Sequence, residues 1–168
     1  MAYRLTLFCK GVGEETGAGA MDRLLDVLLE NGPPLFGEDA GLPPGEPWGV
    51  QREGVMWLAS QIHEIDQRRL VTATPDGRLT ADFLHLELRA GVRFIAEDVI
   101  AVDPDDEHGV WGSDLIAIIT LSGDRPDWPL TDRIWTALEG FGSVVPWDEM
   151  SGFELAAATR RPLGGNAP

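Results

Sequence analysis

A single cysteine, Cys9, excludes a disulfide within the chain. Cys9 lies in an apolar run with no histidine near it, which reads as a small buried hydrophobe and not as a nucleophile. Lysine is equally scarce, with Lys10 alone. The 13 basic residues face 28 acidic ones, so the net charge is −15. A field of that sign repels nucleic acid and anionic membrane and attracts basic partners. Long apolar runs are missing as well. Leu5–Cys9 is too short for the core of a secretory signal, and no run approaches the ~20 residues of a membrane span. The expectation is a cytoplasmic protein with neither nucleic acid nor membrane as partner.

Motifs of the common catalytic and cofactor sites are absent too. There is no Gly-x-Ser-x-Gly elbow, no Walker loop and no paired-cysteine zinc pattern. Gly11-Val12-Gly13 hints at a phosphate cradle. However, Thr16 stands where a third glycine belongs, and Glu14 and Glu15 place negative charge against any phosphate. No cofactor is expected. His63-Glu64 lacks the second histidine of a zinc-protease helix, because position 67 is Gln67.

What is present points to one folded domain. The length of 168 residues and the 43% apolar content suffice for a sizeable core. The domain is taken as 1–159, with 160–168 as a disordered Pro/Gly tail and 32–49 as a long Gly/Pro-rich loop. Tyr3–Cys9 alternates as a strand with one face on a core, and Met21–Asn31 has helical spacing. Gln51–Arg69 fits a helix or a buried strand. Leu70–Asp82 reads as a hairpin around Pro75-Asp76-Gly77. Phe83–Arg89 alternates with Leu84, Leu86 and Leu88 inward and His85, Glu87 and Arg89 outward. Ala90-Gly91 then turns the chain, and Val92–Ile95 returns it, followed by a short element over Glu97–Val102. Asp114–Leu121 is apolar and β-branched, as in a central strand covered on both faces. Pro129–Glu139 is a second principal helix, and short strands are expected at Ser143–Trp147 and Gly152–Leu155. Asp22-Arg23-Leu24 with Leu28 resembles Asp132-Arg133-Ile134 with Leu138, which suggests two β-loop-α copies on one sheet. The fold class is α+β, a mainly antiparallel sheet with two principal helices packed on it.

The densest charge lies between Val99–Val102 and Asp114. It comprises Asp103, Asp105, Asp106 and Glu107, followed by His108 and Trp111. A calcium loop of the EF-hand kind needs glycine at its sixth position, where this loop has His108, and a metal is not expected. Asp103, Asp105, Asp106, Glu107 and Trp111 are instead the expected contact set for a basic protein partner, with the tryptophan as anchor. An immunity or antitoxin-type inhibitor fits that description. A second reading is a small-ligand or metal-dependent enzyme using His85 and Glu87, which share a strand face, with His108 or a loop acid as third member. A third is a structural or assembly subunit. Oligomeric state is not legible.

Overall fold

The computed structural model describes residues 2–39 and 65–154. The expectations for 40–49, for 51–64 with His63, and for the tail after 154 lie outside them. One six-stranded antiparallel sheet organises the described chain. Its strands are β1 (Tyr3–Lys10), β2 (Leu35–Asp39), β3 (Ile65–Thr72), β4 (Leu84–Ala90), β5 (Leu115–Leu121) and β6 (Ser143–Asp148). Their order across the sheet is β2-β3-β4-β5-β1-β6. The helices are α1 (Gly17–Glu30), α2 (Val92–Val102) and α3 (Trp128–Phe141).

Alternation decides what each strand gives to each face. Leu5, Leu7 and Cys9 of β1, Leu84, Leu86 and Leu88 of β4, and Leu115, Ala117, Ile119 and Leu121 of β5 all point to one side. There they meet Met21, Leu24 and Leu28 of α1 and Leu130, Ile134, Trp135 and Leu138 of α3 in the main core. Burying each such leucine or isoleucine is worth about 1.5–3 kcal/mol, which makes this layer the chief source of stability. Cys9 is fully buried in it, and burial, with Asp114 nearby, pushes its thiol up to about 12. It is a packing residue.

The two helix-forming copies are present and face each other. β1 and β5 are antiparallel neighbours in register from Tyr3↔Leu121 to Cys9↔Leu115. Arg133, near the start of α3, donates from Nη2 to Leu28 O (2.6 Å) and Asn31 O (3.0 Å) at the end of α1. Arg23, midway along α1, lies 4.1 Å over the ring of Phe141 at the end of α3. Each arginine of the repeated Asp-Arg pair thus reaches the far end of the other helix, with the sense of a local two-fold. Thr16 caps α1 and Asp127 caps α3; Asp127 also accepts from Thr72 N at 2.7 Å and so pins α3 to β3.

Four sequence readings need correction. Leu35–Asp39, inside the stretch 32–49 expected as a loop, is the edge strand β2, paired antiparallel with β3 from Leu35↔Thr72 to Asp39↔Arg68. Val92–Ile95 is no returning strand: it begins α2, which runs unbroken to Val102 and absorbs the element expected at Glu97. Arg78–Asp82 is not a strand either. After the tight turn closed by Gly77 N–Thr74 O (2.9 Å), only Ala73↔Leu79 bridges before β4 begins. Gly152–Glu154 is a helical turn.

α2 matters for function because it covers only part of the sheet's second face. Ile95 and Val99, four residues apart, bury against Phe8 and Ile116, with Val110 closing the cluster. Beyond it, Ile118, Val145 and Trp147 pack along the edge of that cluster, and polar and charged side chains occupy the positions from Arg4 across to Arg69. No helix among the described residues is long and apolar enough to cross a membrane.

Candidate functional site

Two regions have the chemistry to recognise something. The first is the loop from α2 to β5. Asp103 ends α2 and is 4% exposed. Its carboxylate accepts from Glu107 N (3.1 Å) and His108 N (2.9 Å), and its carbonyl accepts from Trp111 Nε1 (2.8 Å). Asp106 takes a left-handed conformation, φ +52°, and its side chain accepts from Trp111 N at 2.9 Å. Both aspartates are therefore spent on the backbone of their own loop. Asp105 and Glu107 remain exposed, and the Trp111 side chain is 44% exposed although its indole N–H is held.

His108 is also committed. It stacks on Phe153 with ring centroids 3.8 Å apart and lies 3.6 Å from Asp103. Asp114, the twelfth residue counted from Asp103, turns away from the loop. It accepts from Val12 N (3.2 Å) and Gly13 N (2.8 Å) and ties the β1–α1 loop to the start of β5. Carboxylates that would have to converge on a calcium ion point to separate N–H pairs. Because Cys9 pairs with Leu115, the β1–α1 loop, with the exposed Glu15, stands at the same end of the sheet as Asp105 and Glu107.

This use of aspartate recurs. Asp148 accepts from Ser151 N (2.8 Å), Ser151 Oγ (2.7 Å), Met150 N (3.1 Å) and Tyr3 Oη (3.0 Å). Asp82 accepts from Arg125 N at 2.8 Å. Together with Asp103, Asp114 and Asp127, these residues hold turns and caps through charge-assisted bonds, each stronger than a neutral one. Part of the acid excess is thus architecture. Sequence reasoning missed it in part because Val12, Gly13, Thr72, Arg125 and Tyr3, which donate to Asp114, Asp127, Asp82 and Asp148, are distant in the chain. The other bonds are local: Asp103 serves residues four and five positions on, Asp148 serves Met150 and Ser151, and Asp127 serves Leu130, the turn and cap patterns that short-range Asp runs carry.

The second region is the polar part of the sheet's second face. Register sets its rows. Arg69, His85, Thr120 and Arg4 lie side by side across β3, β4, β5 and β1. The adjacent row is Gln67, Glu87, Ile118, Thr6 and Trp147. His85 Nε2 is 2.8 Å from Gln67 Oε1; the amide oxygen only accepts, so Nε2 carries the proton. Partial burial holds the imidazole below its ordinary pKa; Glu87 opposes that shift, while Arg69 and Arg4 add to it. Glu87 is buried and accepts from Arg89 Nε, and Arg89 also holds Asp98 at 3.1 Å. His85 and Glu87 share a face as expected but are bonded to different partners, and His108 does not join them. Among the described residues no group of three or more His, Cys, Asp or Glu side chains is placed to hold a metal.

The sequence matches no family model and no curated protein, and the fold matches no solved structure.

Proposed function

We propose that this protein is a binding protein whose acidic end, built on the α2–β5 loop, docks on a basic surface of a partner protein. Trp111 carries the reading: a half-exposed aromatic side chain anchored by its indole N–H and flanked by the exposed carboxylates of Asp105 and Glu107. Loop order is already fixed by Asp103 and Asp106, so docking costs little conformational entropy. Tryptophan at the centre of a polar patch is a frequent hot spot, and the carboxylates steer encounter. The concrete form is an immunity or antitoxin-type inhibitor that covers the basic substrate surface of a partner enzyme, acting in the cytoplasm where such an enzyme is made.

The test uses the purified product of the neighbouring reading frame as partner. Trp111→Ala is expected to weaken the complex at least about thirtyfold, the ~2 kcal/mol of a hot spot, with the fold intact by circular dichroism. Absence of a complex, or affinity unchanged by Trp111→Ala, rejects the reading.

A further inference from the structure

The polar row on the second sheet face invites a different ligand from the acidic loop. Its groups have bonding capacity to spare. The hydroxyl of Thr120 and the Nδ1 of His85 make no hydrogen bond to protein among the described residues, and neither does the hydroxyl of Thr6 in the next row. None of the three residues is fully exposed. Arg4 and Arg69 flank them with side chains 58% and 50% exposed.

Arg4 faces Glu149 only loosely, at 3.8 Å, and Arg69 pairs with Glu38 while lying 4.9 Å from the centre of the Phe83 ring. Exposed pairs of this kind are worth about 0–1 kcal/mol and yield readily to a better-placed anion. Arg4 and Arg69 stand three strand spacings apart, roughly 14 Å, a gap that two extended arginines close over the intervening His85 and Thr120.

We propose that Arg4, Thr120, His85 and Arg69 form a binding site for one oxyanion group, a carboxylate or a phosphate, taken up together with a proton on His85. The proton follows from the hydrogen bonding of the ring. With Nε2–H given to Gln67, Nδ1 of the neutral ring carries a lone pair and cannot donate to an anion. Protonated, Nδ1 becomes a second donor. The charges facing the ring are Glu87 on its own strand, Arg69 on β3 and Arg4 on β1, while β5 contributes only the uncharged Thr120. Glu87 is already matched by Arg89 and does not compete for the arginines of the row. A bound anion adds to the effect of Glu87 and draws the proton onto His85. The proposal is independent of the docking reading and uses none of its residues.

Sulfate is the probe for the linkage, because its charge is constant between pH 5 and 8. It is titrated into the full chain at low ionic strength while the His85 ring resonances are followed by NMR. Saturation is expected to raise the His85 pKa by about one unit, so that sulfate binds about tenfold tighter at pH 5 than at pH 8. Arg4→Gln with Arg69→Gln is expected to weaken binding at least about tenfold, and His85→Gln to remove the pH dependence. Titrations with phosphate and with acetate at pH 6.5 then distinguish the two sources by which binds more tightly. The wild-type titration needs no variant to fold. His85 resonances indifferent to all three anions, or sulfate affinity indifferent to pH, overturn the proposal.

Discussion

The α2–β5 loop and the polar row of the second sheet face differ in how their polar groups are used. In the loop, the buried carboxylate of Asp103 and the side chain of Asp106 are consumed by backbone N–H groups, leaving a rigid projection with Asp105, Glu107 and Trp111 outward. In the row, a hydroxyl and an imidazole nitrogen keep unspent capacity between two arginines. The first arrangement suits recognition by a preformed shape and charge. The second suits a small group that completes the hydrogen bonding. Charge density alone would have ranked them the other way round as chemical sites.

The contrast predicts unequal responses to similar substitutions. Asp103→Ala leaves two loop N–H groups without their charged acceptor and is expected to cost about 2–3 kcal/mol in urea denaturation. Asp105→Ala, two residues away and exposed, is expected to stay within about 0.5 kcal/mol. Equal losses would dissolve the distinction between structural and presented carboxylates. Gly109 has φ +71° with room for a methyl group, so Gly109→Ala is expected to cost about 1 kcal/mol through backbone strain alone.

On the sheet face the sharper readout is protonation. In the free protein His85 is expected to titrate below its ordinary value. Partial burial holds it low and Arg69 and Arg4 add to that, so Arg4→Gln with Arg69→Gln is expected to move it up, and Glu87→Gln to move it further down. Because the folded-state pKa lies below the unfolded one, any stability tied to neutral His85 is present above the unfolded value. It is lost as pH falls through the folded one. The smallest effect belongs to Glu149→Ala, whose exposed partner Arg4 is 3.8 Å away; a change within about 0.5 kcal/mol is expected.

Strong periodicity made much of the fold legible. Tyr3–Cys9, Asp114–Leu121 and both principal helices stand out because burial on one or both faces writes a repeat of 2 or 3.6 into the sequence. α2 did not. Its first residue follows Gly91, whose φ is +112° and which offers no capping side chain, so the usual start signal is missing. Val92-Arg-Phe-Ile95 taken alone has the composition of a strand, and only Ile95 with Val99 reveals the helix. The acidic loop was legible as a charge cluster, but the division between spent and presented acids was not. His85 and Glu87 could be placed on one face by alternation. Their row partners Arg69, Thr120 and Arg4 come from other strands, and only register brings them together.

The most direct test of the docking role is the association rate with the product of the neighbouring reading frame, measured by stopped flow from 20 mM to 500 mM salt. Asp105→Lys combined with Glu107→Lys is expected to slow association of a basic partner by at least about tenfold at low salt and to flatten its salt dependence, as loss of electrostatic steering requires. An on-rate that ignores both the charge reversal and the salt would contradict the account.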